Sequence, residues 1–217
     1  MKLRCQTLIA LTPQIKPMPT ARSETASFRA LAQATPNDWK IIERAERAYR
    51  AKHGPGRGLL TIMGSIANLD PQGAPVNLYT HCLQTATRVL EAGRDEELVV
   101  VALFHDLTEA FSDNHHGLLA AEMLAPWISE RRSWLVTRHV EFQSYHFANH
   151  PIRSRTERDQ FIGHPYFAET AEFCEIFDQN SFDPDYPTLP LEVFEPIVLK
   201  FFSGPVPLQQ RPPAAAS

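Results

Sequence analysis

A run of seven apolar residues, 98–104, leads directly into the polar pair His105 and Asp106. Residues 99–101 are valines, which alone would favour a strand. However, no turn residue interrupts the segment, and the apolar pattern continues to Leu107. A helix that is buried on most sides fits this pattern better. The sequence therefore predicts a core helix that carries a histidine and a carboxylate.

The rest of the chain also has a helical pattern, in which proline and glycine mark the breaks. Helices are predicted over residues 38–53, 78–92, 96–111, 115–124, 131–150, 166–182 and 193–202. The segment 54–76, rich in glycine and proline, is predicted to be loop-like. These features indicate an all-α fold of about seven or eight helices around one core.

The length of 217 residues suits one domain with tails. Hydrophobic residues make up 43% and charged residues 21%, as in ordinary globular proteins. Residues 1–21 and 204–217 are rich in proline and small residues, and we expect them to be flexible tails. Residues 22–203 are then the predicted domain.

Charge and cysteine content limit the classes of partner and the cellular compartment that we expect. The net charge of −4 provides no basic field for nucleic acid or acidic lipid, so neither is expected as a partner. Cys5, Cys82 and Cys174 are widely spaced, which fits a reducing compartment rather than a disulfide framework. Cys82 and Cys174 are interpreted as small buried residues rather than nucleophiles. The apolar stretch 8–11 ends at Pro13 and is short for a signal sequence, and no apolar run reaches membrane-spanning length. These features predict a cytoplasmic protein.

Several of the nine histidines fall on the predicted helices, together with two aspartates. The candidate metal ligands are His81, His105, Asp106, one of His115 and His116, His139, and Asp178. Imidazole and carboxylate suit iron, manganese, nickel or zinc, and one carboxylate can bridge two ions. The side chains of adjacent residues on a helix point in directions that differ by about 100°. His105 and Asp106 can therefore face one pocket only if it lies near the helix surface, between two other helices. A lone helical histidine is more often an ordinary core or surface residue, and we interpret His53, His146, His150 and His164 in that way.

Four segments carry a resemblance to a known family: HCLQTA at 81–86, FHDL at 104–107, HHGLLAAEML at 115–124 and RHVEFQSY at 138–145. Over residues 75–180 the chain resembles the HD-domain superfamily of helical metalloproteins. Within it, the chain looks most like the dinuclear-iron oxygenases, a branch that includes organophosphonate-cleaving dioxygenases and myo-inositol oxygenase.

The resemblance implies two iron ions in the Fe2+/Fe3+ state, with Mn2+, Ni2+ or Co2+ as alternatives. It implies that His81, His105, Asp106 and Asp178 hold the first ion. His116 and His139 would hold the second, with Asp106 as the bridge. Asp106, His116 and His139 would then take part in catalysis. His116 is preferred to His115 because Ala120 and Ala121 follow it where the family pattern has small residues. Asp178 is preferred to Asp183 as the last ligand.

Three departures from the family pattern bear on the substrate. Leu107, Thr108 and Glu109 follow the His-Asp pair, where many relatives have a basic residue or histidine. Gln143 stands where the phosphonate-cleaving enzymes have a lysine, which weakens phosphonate as a substrate. The loop from Asp106 to His116 is also short.

Three functions remain open from the sequence. The first is an oxygenase that uses O2 on a small hydroxylated substrate, and the second is a metal-dependent phosphohydrolase. Few cations lie near the ligands, which favours the first, although Arg88 and Arg138 weaken this point. Tyr79, Gln84 and Gln143 are candidates for lining the substrate pocket. A sensor without catalytic activity is a third possibility.

Overall fold

A computed structural model describes residues 24–112 and 115–203, so the predicted tails lie outside the described residues. Eight α-helices are described: α1 (Pro36–His53), α2 (Pro55–Ser65), α3 (Leu78–Glu91), α4 (Glu96–Phe104), α5 (His116–Leu124), α6 (Glu130–Gln143), α7 (Phe167–Ile176) and α8 (Leu191–Phe201). These residues form no strand, which confirms the all-α prediction. Within the described ranges, no helix combines the length and the apolar character that crossing a bilayer requires.

The chain divides into two compact units at Tyr49. In the described part of the first unit, the side chain of Asp38 organises the start of α1. Its carboxylate accepts hydrogen bonds from the backbone amides of Ser27 at 2.7 Å and Thr35 at 2.8 Å, and from both hydroxyls. Thr35 Oγ1 accepts in return from the Asp38 amide, which completes a capping box. These bonds hold the pKa of Asp38 at about 2.

The second unit, described over 50–112 and 115–203, contains the hydrophobic core. Helix α4 lies at its centre, because every residue from Leu98 to Phe104 is buried. It packs against α3, α6 and α8, while α6 also packs against α5 and α7. The predicted buried helix is therefore confirmed, and the three valines form no strand.

The prediction of a loop over 54–76 was wrong for its first half, which forms α2. Pro55 stands at the first helical position, where proline suits a helix start. Leu59 and Met63, one turn apart, are buried in the core, and this packing outweighs the low helix propensity of three glycines. A Cβ on Gly56 would lie 3.2 Å from the Val198 carbonyl oxygen, so the glycine allows α2 to approach α8 closely.

Three helices are shorter than the sequence predicted. Helices α4, α6 and α7 end at Phe104, Gln143 and Ile176, and a short 3-10 helix follows each of them, directly in the case of α6. These 3-10 helices span Leu107–Ala110, Ser144–His146 and Asp178–Asn180. Two of these helix ends place the predicted ligands Asp106 and Asp178 outside the α-helices. There the backbone can turn their carboxylates toward one pocket.

Candidate metal centre

The structure brings the six predicted ligand side chains into one buried cluster. We define a four-ligand group and a three-ligand group that share Asp106, and within each group one ligand atom per residue lies within 4.8 Å of the others. The four-ligand group is His81, His105, Asp106 and Asp178, and the three-ligand group is Asp106, His116 and His139.

The two carboxylate oxygens of Asp106 face different groups. Oδ2 lies 3.1 Å from His81 Nε2 and 3.2 Å from His105 Nε2. Oδ1 lies 2.8 Å from His139 Nε2 and 3.3 Å from His116 Nε2. One carboxylate can bridge two cations only if its oxygens point to both, and Asp106 has this arrangement.

Asp106 reaches this position because the chain leaves the helix at His105. The φ of −104° and ψ of 1° at Asp106 are not those of an α-helix. The direction of its side chain therefore does not follow the rotation of about 100° per residue that an α-helix imposes. Thr108, in the 3-10 helix that follows, donates a hydrogen bond of 2.7 Å to the backbone carbonyl of His116. This bond ties the segment after Asp106 to the first residue of α5.

Backbone carbonyls fix the orientation of three imidazoles. The Nδ1 atoms of His81, His105 and His139 lie 3.0, 2.9 and 2.7 Å from the carbonyl oxygens of Ser181, Ala102 and Val136. A carbonyl can only accept, so each Nδ1 carries the proton in the neutral ring. Each Nε2 then points a lone pair into the cluster, which is the usual arrangement of metal-binding histidines.

Several buried polar atoms in the cluster have no hydrogen-bond partner. These are Nε2 of His81, Nε2 of His105 and Oδ2 of Asp178. A buried polar atom without a partner costs roughly 1–3 kcal/mol, so such atoms are rare unless they serve a ligand. Lone pairs of nitrogen and oxygen aimed at one point fit a bound metal ion.

The electrostatics of the four-ligand group also favour a positive charge. Burial opposes the charged ring, but Asp106 and Asp178 raise the pKa of His81 to about 9. Burial likewise opposes the ionised carboxylates, but the histidines around them hold the pKa values of Asp106 and Asp178 below the ordinary range. The carboxylates therefore stay ionised, and the cluster attracts protons or metal cations.

The structure distinguishes the alternatives that the sequence left open. Asp178 is fully buried in the four-ligand group, whereas Asp183 is exposed and accepts a hydrogen bond from the backbone amide of Asp185. His116 lies in the three-ligand group, whereas His115 is exposed at the start of α5. Neither Asp183 nor His115 belongs to a candidate group among the described residues.

A cavity of about 570 Å³ opens onto the cluster. Its lining includes one ligand from each group as well as the shared carboxylate, namely His81, His116 and Asp106. Additional polar side chains come from Asp70, Gln72, Asn77, Glu109, Ser112 and Gln143. Both groups can therefore be reached by a small molecule.

Of the three predicted pocket residues, Gln143 lines the cavity and donates a hydrogen bond of 3.0 Å to Asp178 Oδ1. Tyr79 and Gln84 are not among the described residues that line the cavity. Tyr79 lies two residues before His81, about 200° away around α3, and packs against the core. Gln84 is buried, and its amide pairs with the backbone of Asp183.

No lysine or arginine occurs among the described residues that line the cavity. Arg88 stacks on Tyr186 and donates to the carbonyl of Asn180. Arg138 donates to Glu141 and lies over the ring of Phe161. The two arginines that weakened the sequence argument therefore have other partners and stand outside the cavity lining.

Sequence reasoning missed Phe182, whose ring stacks on His81 with centroids 4.4 Å apart. It also missed Ser181, whose carbonyl orients His81. Their position directly after the ligand-bearing segment at Asp178 was the available signal. Cys82 and Cys174 are buried, and burial raises the pKa of both thiols well above the ordinary value, which agrees with their interpretation as core residues.

The assignment of this site depends on its geometry. Two groups of buried imidazoles and carboxylates share one aspartate, and a cavity leads to them. No known family model and no curated protein sequence matches the chain.

Proposed function

We propose that this protein is an HD-domain enzyme that binds two metal ions, one in each ligand group, with Asp106 as the bridge. The observation that carries the proposal is that Asp106 directs Oδ2 to one pair of imidazoles and Oδ1 to the other. The partnerless Nε2 atoms of His81 and His105 support it, because a metal would satisfy both.

We further propose that the metal is iron in the Fe2+/Fe3+ state and that the reaction is the oxygenation of a small hydroxylated substrate. Two such irons would supply one-electron chemistry and a means of activating O2. The protein contributes an apolar wall that excludes water, since the residues of α4 that precede His105 are apolar and buried. Excluding water in this way protects reactive species from side reactions.

The cavity lining argues against phosphate esters as substrates. Enzymes that act on phosphoryl groups usually place arginine, lysine or a similar clamp around the phosphate oxygens. Here the described lining offers the carboxylates Asp70 and Glu109 and the neutral amide of Gln143. A doubly charged anion would gain no compensation from these side chains, whereas an alcohol needs none.

The test is to purify the full chain without air, reconstitute it with iron, and measure metal content, the electron paramagnetic resonance spectrum and substrate-dependent O2 uptake. We expect about two irons per chain, a mixed-valent signal after partial reduction, and O2 uptake with hydroxylated compounds. Phosphate release from nucleotides with Mn2+, Ni2+ or Co2+ is measured on the same preparation.

His116→Ala and His115→Ala form a matched pair, because the residues are adjacent but only His116 belongs to a ligand group. We expect His116→Ala to lose metal and O2 uptake, and His115→Ala to keep both. Absence of bound metal after reconstitution would overturn the metal centre. Rapid phosphate release that His105→Ala abolishes, without any substrate-dependent O2 uptake, would replace the oxygenase with a phosphohydrolase.

A further inference from the structure

Three large apolar side chains with substantial exposure surround the cavity of the metal centre. Leu69 is 41% exposed, Phe111 is 72% exposed and Phe182 is 37% exposed, and all three line the cavity. We call these three residues the apolar rim. They come from separate segments: the loop before α3, the turn after the 3-10 helix Leu107–Ala110, and the loop after Asp178–Asn180.

Single exposed apolar residues are ordinary on protein surfaces, but several around one opening are a different case. Contact between the rim side chains and water is unfavourable, and a bound apolar group would remove part of this contact. The rim is also continuous with the metal centre, because the Phe182 ring stacks on the predicted ligand His81. A ligand that reaches the metal groups through this cavity therefore passes along apolar surface.

The inner end of the cavity is polar. His81, Asp106, His116 and Gln143 lie there, with the carboxylates of Asp70 and Glu109 elsewhere in the lining. An uncharged hydroxylated head can bind at the metal centre without a compensating side chain. A phosphate or carboxylate head would lie in a cavity lined by these carboxylates, with no lysine or arginine in the described lining.

The size of the cavity fits a ligand with more than a head group. Its volume of about 570 Å³ lies within the range of about 300–1,000 Å³ that is usual for ligand pockets. A compound of two or three carbons would fill only part of it and would leave the apolar rim in water.

We propose that the substrate is amphiphilic: an uncharged hydroxylated head faces the metal centre, and an alkyl or aromatic group packs on the apolar rim. This inference rests on the proposed function, because it takes the metal centre as the place where the head binds. It adds the apolar part of the substrate, which the metal ligands alone do not specify.

The test measures the affinity of alkane-1,2-diols of increasing chain length by NMR titration, with both metal-loaded and metal-free protein. Burial of each added methylene on the rim increases affinity by up to about fourfold. Phe111→Ala should reduce this increase per methylene while leaving the metal content unchanged, because Phe111 belongs to neither ligand group. Ile152→Ala is the matched control, since Ile152 is 88% exposed but does not line the cavity.

Affinity that does not change with chain length would overturn the inference, as would an equal dependence in the wild type and Phe111→Ala. Light scattering tests whether a second copy of the chain covers the rim instead. A dimer that Phe111→Ala dissociates, together with chain-length-independent binding, would assign the rim to self-association.

Failure of this inference and failure of the proposed function give different results. Two bound irons with O2 uptake, but no chain-length dependence, would remove only the apolar part of the substrate. A chain that binds no metal but still prefers longer diols would remove the metal centre and keep the rim as a binding surface.

Discussion

Gly117 lies where α5 packs against α6 beside the candidate metal centre. A Cβ built on it would lie 2.7 Å from the carbonyl oxygen of Val136 and 3.3 Å from Cε1 of His139. The same Val136 carbonyl accepts the hydrogen bond that orients His139. Gly117→Ala should therefore disturb both the helix packing and the three-ligand group.

The magnitude follows from this overlap. Ordinary contact begins near 3.4 Å, so the Val136 carbonyl must move by about 0.7 Å, and neither atom is at the end of a flexible side chain. Overpacking of this kind costs about 1–3 kcal/mol, while replacing glycine by alanine in a helix contributes about 1 kcal/mol of stabilisation. The free energy of unfolding should fall by up to about 2 kcal/mol.

Gly58→Ala is the matched control, because a Cβ there meets no atom within 4 Å and the residue lies on the exposed side of α2. It should stabilise by up to about 1 kcal/mol. The two variants should then differ by about 1–3 kcal/mol, or roughly 2–12 °C in Tm. Thermal unfolding followed by circular dichroism measures this difference, and metal analysis should show weaker binding in Gly117→Ala alone. If both variants are equally stabilised and both retain two ions, the close approach at Gly117 has no role.

The remaining predictions concern the shared ligand and the start of α1. Asp106→Ala should lose both ions, whereas His139→Ala should lose mainly one, and metal analysis that finds two ions in both variants would contradict the bridge. Asp38→Asn should lower stability at neutral pH, because the folded-state pKa of about 2 lies below the ordinary 3.8. The stabilisation from Asp38 is present above pH 3.8 and is lost as the pH falls toward 2, so urea unfolding curves of the variant and wild type should converge there.

The sequence predicted the all-α fold and the positions of most helices, because capping residues and apolar periodicity act locally. Asn77 caps α3 and Asp95 caps α4, each by accepting a hydrogen bond from a backbone amide three residues later. Helix α2 was missed because tertiary packing of Leu59 and Met63 determines it. The helix propensity of residues 55–65 does not show that α8 packs against them.

The side chains of the candidate cluster could be predicted because buried imidazoles and carboxylates are rare unless they have a function. Which oxygen of Asp106 faces which group could not be predicted, since this depends on a helix break that the apolar pattern conceals. The pairing of the Gln84 amide with the backbone of Asp183 could not be predicted either, because nothing near Gln84 in the chain points to a partner so far along the sequence.

The burial of the six candidate ligand side chains has a consequence for the effect that bound metal ions would have on stability. None of these side chains belongs to a residue more than 8% exposed, and they come from segments as far apart as His81 and Asp178. Ions held by these segments would close long loops in the chain and would therefore oppose unfolding. Histidine and carboxylate discriminate weakly among divalent metals, so the metal supply would determine which ion is bound. Because the cavity reaches both groups, a chelator should remove the ions from the folded chain, and the Tm should then fall.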